Sequence, residues 1–230
     1  MNASFVTPHC LEAEDPEFPR GVRALHAAPL RLYCFGNTSL FGKPAIGICG
    51  ARGASNVGLA HARRFGQLAA EYGVTVVSGY SRGVDMSAHK GALERQGTTI
   101  AVLAEGIRSA RVKRELAVEA DFESRLLLVS EFAPDAPWTV WRAMKRNETI
   151  CALASATVVV EAGESGGTLA AGRECLHQGK PLWVIQYGDA PDTARGNALL
   201  IQKGGTPVKT LKELRTLIAD LVSRQPAGVK

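Results

Sequence analysis

Three glycine-rich stretches of this 230-residue chain carry the residue types best suited to binding a phosphate group. They span residues 50–58, 78–85 and 161–168, and the first two contain Arg52 and Arg82. Glycines allow backbone N–H groups to approach an anion at the start of a following helix, and a guanidinium can bind phosphate through two hydrogen bonds. The pattern predicts anion binding, although each stretch taken alone is equally typical of a tight turn between a strand and a helix.

A fourth stretch, residues 138–147, combines aromatic rings with positive charge. Two indoles, Trp138 and Trp141, lie there among three cationic side chains. Single-stranded nucleic acid is bound by this combination, because bases stack on aromatic rings while cations neutralise the phosphates. The alternative is that the indoles belong to the core face of an amphipathic helix.

The titratable residues near these stretches do not form a recognisable catalytic set. Asp85 either belongs to the site or simply occupies the first turn of a helix, where the helix dipole favours an acid. We interpret His89 as structural, since no carboxylate or nucleophile accompanies it at a recognisable spacing. The five cysteines form no C-x-x-C pair, and Cys49, Cys151 and Cys175 fit small buried side chains. We therefore expect no catalytic residue, no cofactor and no metal.

The candidate residues must be positioned by short strands that alternate with longer helices. Continuous apolar runs, typical of strands covered on both faces, predict strands over residues 30–35, 45–49, 75–78, 98–103, 126–129, 157–161 and 182–185. Apolar residues at helical spacing predict helices over 58–72, 84–96, 138–154, 168–178 and 210–223. Three glycines, Gly73, Gly97 and Gly179, are predicted to end helices in the left-handed conformation.

This alternation predicts an α/β fold, a Rossmann-like doubly wound and mostly parallel sheet with helices on both faces. In such a sheet, ligands bind beyond the carboxyl ends of the strands, where the three glycine-rich stretches fall. We expect residues 1–43 to form an N-terminal extension that packs on the core. Residues 44–224 then form the Rossmann-like domain, and residues 225–230 a disordered tail.

Charge and composition narrow the class of protein. The chain has 27 Lys and Arg against 22 Asp and Glu, a net charge of +5, which mildly favours a polyanionic partner. A solvated basic surface explains the same surplus. No signal peptide and no apolar stretch of membrane-spanning length is present, so we expect a cytoplasmic protein.

Several motifs occur in the order and spacing of the DNA-processing protein A (DprA/Smf) family, and together they resemble it from about residue 16 to residue 205. They are Gly50-x-Arg52, Ser78-Gly79-x-x-x-Gly83-Val84-Asp85, Ala88-His89, Ser130-Glu131-Phe132, Arg146-Asn147-x-x-Ile150, Ser165-Gly166-x-Thr168-Leu169 and Arg195-Gly196-Asn197.

The resemblance implies a single-stranded DNA-binding protein that acts in DNA processing or recombination. It also implies a homodimer and contact with a RecA-type recombinase or another protein partner. Carried over to this sequence, the predicted DNA- and phosphate-binding residues are Gly50, Arg52, Ser78, Gly79, Arg82, Gly83, Lys145, Arg146, Asn147, Ser165, Gly166 and Thr168.

The chain also departs from the family pattern. Ala143-Met144 stands where family members usually have an aromatic-proline pair before the Arg146-Asn147 element, so a stacking or shaping residue is either lost or replaced by Trp141. Two rival hypotheses therefore stay open. One is a nucleotide-binding or nucleotide-hydrolysing protein of the phosphoribohydrolase kind, with Glu161 or Glu164 activating water. The other is a protein-binding antitoxin or defence adaptor.

The DNA-binding hypothesis makes a specific expectation about two arginines. Arg52→Ala and Arg146→Ala should each weaken DNA binding without unfolding the protein, because both side chains are expected to face a cleft rather than the core.

Overall fold

A computed structural model describes residues 8–117 and 121–224, with no side-chain description for residues 122 and 123. The strands within these ranges, β1 to β9, are His9–Glu12, Arg31–Gly36, Ala45–Cys49, Thr75–Gly79, Thr99–Val102, Leu126–Ser130, Ala156–Val159, Leu182–Ile185 and Thr206–Val208. The α-helices, α1 to α9, are Arg20–Arg23, Asn56–Glu71, Val84–Glu94, Arg114–Ala117, Phe122–Arg125, Val140–Leu153, Gly167–His177, Gly196–Gln202 and Leu211–Ser223.

The strands form one sheet in the order β1-β2-β6-β5-β4-β3-β7-β8-β9. All pairs from β6 to β9 are parallel, whereas β2 pairs antiparallel with both β6 and β1. The chain moves outward from β3 to β6 and then returns through α6 to β7, on the other side of β3. The loops after β3 and β7 therefore diverge, and a crevice opens between them.

Helices cover both faces of the sheet and bury its apolar strands. On one face, Leu68 of α2, Ala88 of α3 and Ile218 of α9 pack into one core cluster. On the other face, Val22 of α1 and Ile150 of α6 pack into a second cluster. The prediction of a mostly parallel α/β sheet with helices on both faces is confirmed. The sequence could predict it because strands buried on both faces need apolar residues at every position.

Local signals explain where several helices begin and end. The Thr210 hydroxyl accepts a hydrogen bond from Glu213 N at 3.2 Å, which caps α9 where the sequence predicts it. Gly73 and Gly179 adopt φ of +67° after α2 and α7, as predicted. After α3 the prediction is wrong, because Gln96 adopts the left-handed conformation, with φ of 58°. Gly97 instead allows close packing, since a Cβ there would overlap Ala70.

The N-terminal segment contributes more regular structure than the sequence indicated. The predicted strand over residues 30–35 is observed as β2, but β1 was not predicted, and together they extend the sheet as an antiparallel edge. Neither β9 nor α8 was predicted either. The proposed tail, residues 225–230, lies outside the described residues.

Candidate functional site

A cleft of about 450 Å³ opens at the carboxyl edge of the sheet, in the crevice beside β3 and β7. Its wall is built by the loop after β3, the turn after β4, the loop after β7 and the first turns of α6. Six of the predicted site residues line this cleft: Gly50, Arg52, Arg146, Asn147, Ser165 and Thr168. The topology therefore brings together residues that lie more than a hundred positions apart in the chain.

A second depression of about 280 Å³ continues the first toward the turn after β4. The two share Arg52, Ser81, Trp138 and Arg146, and the second adds Arg82. We call the combined depression the strand-end groove. The groove therefore extends to both sides of the shared residues, a shape that suits a linear ligand.

The junction of the two depressions is formed by an arginine stacked on an indole. The Arg52 guanidinium carbon lies 5.2 Å from the centroid of Trp138, within cation–π range. Trp138 remains 46% exposed and Trp141 65% exposed, so neither indole belongs to the core. The alternative that the indoles pack inside the protein is therefore wrong, because Trp138 lies in the loop before α6 and Trp141 lies on an exposed face of its first turn.

Arg146 lies at the floor of the groove and is only 6% exposed. Its Nη1 donates to the Val102 carbonyl at 2.9 Å, and its Nη2 lies 3.2 Å from Ser81 Oγ and 3.4 Å from Asp85 Oδ2. Arg146 lines the groove, but its side chain is buried, so the expectation that its truncation would leave the packing intact does not fit these contacts. The side chain is held between β5 and the turn after β4, so it braces that turn.

Three predicted glycine and serine positions support the site from below instead of facing it. Ser78 is fully buried and donates to the Ile48 carbonyl at 2.5 Å. A Cβ at Gly79 would overlap the Arg146 guanidinium, so this glycine makes room for the arginine. Gly83 has φ of +86°, a conformation that only glycine adopts readily, and it packs on the backbone of the loop after β3.

Lys145 is not in the cleft with Arg52. Its Nζ forms an ion pair with Glu148 at 2.5 Å and faces a separate depression between α6 and α7. Successive helix positions are about 100° apart, so Lys145 and Arg146 necessarily point in different directions. Asn147, by contrast, lines the cleft, and its Nδ2 donates to the Gly167 carbonyl at the start of α7.

The loop after β7 exposes the beginning of α7 to the cleft. Gly166 precedes the helix with φ of +97° and is exposed, as are Ser165 and Gly167. Thr168 follows in the first turn and also lines the cleft. The first backbone N–H groups of a helix have no intrahelical partner, so this end of α7 is suited to an anion.

His89 is a structural residue, as predicted. It is completely buried, its Nε2 lies 2.6 Å from the Gly79 carbonyl, and its Nδ1 lies 2.6 Å from Thr99 Oγ1. Because a carbonyl can only accept, Nε2 carries the proton. Burial lowers the pKa of His89 to about 4, so the ring is neutral at pH 7.

Asp85 combines the two possibilities that the sequence left open. It occupies the first turn of α3, and it also lines the cleft as the partner of Arg146. The carboxylate accepts from Ser81 N at 3.3 Å as well as contacting Arg146, so it supports the turn before α3 and the groove floor.

Glu161 is fully buried beneath the loop after β3, and both oxygens of its carboxylate accept hydrogen bonds from protein groups. Oε2 accepts from Ser55 N at 2.9 Å and from Thr193 Oγ1 at 2.6 Å, while Oε1 accepts from Ser55 Oγ at 2.5 Å. Tyr187 Oη lies 3.4 Å from the same carboxylate, and burial together with Glu161 raises the pKa of Tyr187. This network ties the loops after β3, β7 and β8 together.

Sequence reasoning did not identify Tyr80, Ser81, Thr193 or Glu105 as residues of the groove or its support. Tyr80, Ser81 and Glu105 line the groove, and Thr193 lines the cleft while anchoring Glu161. Thr193 carries no local signal, because its partner is thirty-two positions away. Tyr80 and Ser81 lie inside the second glycine-rich stretch, so that stretch was the available signal.

The described residues can be compared with the requirements of a membrane-spanning helix and of a metal site. None of their helices is long and apolar enough to cross a bilayer. No group of three or more His, Cys, Asp or Glu side chains among them is arranged to hold a metal ion.

Comparison with known proteins agrees with this architecture. The family model for DNA recombination-mediator protein A matches residues 9–219. Protein Smf of Escherichia coli is 30% identical over 207 residues, which cover 90% of this chain and 55% of that protein. The chain thus spans about half the length of this relative.

Solved structures share the fold. DNA processing protein A from Streptococcus pneumoniae superimposes with a TM-score of 0.82 at 25% identity, over 92% of this chain and 75% of that one. DNA processing protein A from Helicobacter pylori, described for its single-stranded DNA binding mode, gives 0.81 at 24% identity, over 94% of this chain and 98% of that one. Since the family model spans nearly all described residues, the chain belongs to the DNA recombination-mediator protein A (DprA/Smf) family.

Proposed function

We propose that this protein binds single-stranded DNA in the strand-end groove, with little dependence on base sequence. The observation that carries the proposal is the Arg52–Trp138 pair at the junction of the two depressions. A groove that passes an exposed cation stacked on an exposed indole offers a phosphate contact and a base-stacking surface at one point.

The arginines along the groove have two different roles: exposed ones bind the ligand, and a buried one supports the protein backbone beneath them. Neither Arg52 nor Arg82 pairs with a carboxylate among the described residues, and both side chains are exposed. These two arginines are the groups that neutralise phosphates. Arg146 supports the turn that carries Arg82, and the exposed start of α7 adds N–H donors.

The shape of the groove favours a strand over a single nucleotide. A mononucleotide site usually encloses its ligand, whereas this groove continues on both sides of Trp138. Exposed Val140 lines the cleft, and the neighbouring exposed Trp141 extends the apolar surface along α6 beyond it. The single-stranded DNA binding described for the Helicobacter relative supports the same ligand class.

The phosphoribohydrolase alternative has little support from the contacts of its two candidate bases. Glu161 is buried and already accepts four hydrogen bonds, which occupy the acceptor sites of its carboxylate, so it has no free oxygen to orient an attacking water. Glu164 is exposed and does not line the cleft. We infer a binding protein that performs no reaction of its own.

Fluorescence anisotropy with labelled oligo-dT tests the proposal. Arg52→Ala should weaken binding about ten-fold or more, because a charged phosphate contact is worth about 1.5–3 kcal/mol. Arg173→Ala is the matched control, since Arg173 is an exposed arginine of α7 away from the groove. Equal loss with both variants, or no loss with Arg52→Ala, would show that the groove is not the binding site.

Salt dependence and competition provide the second arm of this test. Two phosphate contacts predict a log–log salt slope of about −1.4, from about −0.7 per contact on single strands. Excess dAMP or dTMP should compete weakly, and tight mononucleotide binding would favour the rival function. The homodimer and the recombinase contact stay predictions of the family resemblance, testable by light scattering and by pull-down with a purified recombinase, and the adaptor role stays a rival hypothesis.

A further inference from the structure

A second groove, distinct from the strand-end groove, runs between α2 and α3 and has a volume of about 570 Å³. We call it the α2–α3 groove. Four cations and one carboxylate line it, above a floor that includes Leu59 and Met86. The charged residues are Arg63, Arg82, Lys90, Lys113 and Glu115.

The two grooves meet at the turn after β4. Arg82 lines both of them, so its guanidinium stands at the boundary. Tyr80, next to it, lines the strand-end groove, and Lys113 Nζ donates to the Tyr80 carbonyl at 2.7 Å while lining the α2–α3 groove. An anionic chain leaving the strand-end groove past Arg82 therefore enters a second surface on which cations outnumber carboxylates, since among the described residues Glu115 is the one acidic residue that lines the α2–α3 groove and Glu105 the one that lines the depression before it.

The cations of the α2–α3 groove differ in what they already bind. Arg63 is paired with Glu94 at 2.7 Å, and burial lowers the pKa of Lys113. Lys90, by contrast, is partly exposed and forms no hydrogen bond or ion pair with the described residues. It lies two helical turns beyond Gly83, about 10 Å along the axis of α3. Beyond Arg82, which the two grooves share, Lys90 is therefore the cation of the α2–α3 groove most available to an incoming anion, although the Glu94 carboxylate one turn further along α3 also attracts its charge.

Resting on the function proposed above, we propose that the α2–α3 groove continues the path of single-stranded DNA and binds further phosphates of the strand, with Lys90 as its principal contact. The ligand is a phosphodiester chain because the groove is continuous at Arg82 with a surface suited to one. Binding is then length-dependent, since a short strand fills the strand-end groove and only a longer strand contacts Lys90.

Anisotropy titrations with a labelled oligo-dT length series, from dT4 to dT20, test this path with Lys90→Gln. The variant should bind the shortest measurable strand like wild type and bind dT20 about five-fold more weakly at 0.1 M salt. That factor follows from losing one contact whose effect scales as salt concentration to the power of about −0.7. Its salt slope on dT20 should become shallower by about 0.7, and Lys90→Glu should weaken dT20 binding further.

Arg95→Gln is the matched control, because it removes one positive charge at the C-terminal end of α3, from a residue that does not line the groove. The path is overturned if Lys90→Gln and Arg95→Gln behave alike on dT20, or if Lys90→Gln weakens short and long strands equally. Loss of binding with Arg52→Ala at every length, together with an inert Lys90, would reject the path and keep the proposed function. Wild-type binding by Arg52→Ala would reject the function itself.

Discussion

Replacing Arg146 by alanine should destabilise the fold, not merely weaken ligand binding. The Arg146 guanidinium donates to the Val102 carbonyl and lies against Ser81 and Asp85, and the side chains of Arg146 and Asp85 are each 8% exposed. Truncation would leave the Asp85 carboxylate buried, with a backbone N–H of Ser81 at 3.3 Å as its remaining contact. An uncompensated buried charge is among the few single changes that lower stability by several kcal/mol.

The expected loss is about 3 kcal/mol, from the range of about 3–5 kcal/mol for breaking a buried ion pair. We take the lower end because the Arg146–Asp85 pair is long, at 3.4 Å. For a chain of this size, that loss lowers the melting temperature by roughly 6–12 °C, at about 2–4 °C per kcal/mol. Arg52→Ala, which removes an exposed side chain, should change stability by no more than about 0.5 kcal/mol.

Urea denaturation at pH 7, followed by circular dichroism and tryptophan fluorescence, measures the difference. Combining Arg146→Met with Asp85→Asn removes both charges, so this double variant should be more stable than the sum of the two single losses predicts. The reasoning is refuted if Arg146→Ala has the same unfolding midpoint as Arg52→Ala. It is also refuted if the two substitutions are additive, since the pair would then not be coupled.

Three further predictions follow from the site. The pKa of His89 is about 4 in the folded protein and about 6.5 in the unfolded chain, so its contribution to the free energy of unfolding is complete above pH 6.5 and is lost as the pH falls toward 4. At pH 5 the loss is about 2 kcal/mol. Unfolding measured as a function of pH should show this loss, and His89→Gln should reduce it. Trp138→Ala should weaken oligo-dT binding by about 1–3 kcal/mol, while Trp138→Phe keeps most of the affinity and a full loss with both would argue against stacking. Glu161→Gln should lower the melting temperature through the Ser55 and Thr193 contacts, and purified protein should release no free base from nucleoside monophosphates, whichever residue stands at 161.

The structure assigns unlike roles to side chains that resemble one another in sequence. Arg52 and Arg146 are both arginines of matching motifs, but one stacks on Trp138 in solvent and the other is packed under a glycine. The difference matters for experiments, because loss of binding in Arg146→Ala mixes lost support with lost contact. Arg52 and Arg82 are the cleaner probes of ligand binding.

The amino-acid sequence alone determined the α/β class, the order of the central strands and helices, and the positions of the three glycine-rich loops. Those features are local: an apolar run of five residues buries both faces of a strand, and Thr210 caps a helix that begins at the next residue. The sequence was also sufficient for the structural interpretation of His89, since no catalytic partner accompanies it at a recognisable spacing.

Only the tertiary structure decided which of the predicted residues face the groove. Lys145 and Arg146 are adjacent in the chain, but the rotation of α6 points one toward α7 and the other beneath the turn after β4. Strands and loops that are far away in the chain decide which side chains are buried and which are exposed. They bury Arg146, Ser78 and Glu161 and leave Trp141 exposed. Side-chain direction and burial are properties of the assembled sheet, so no local pattern contains them.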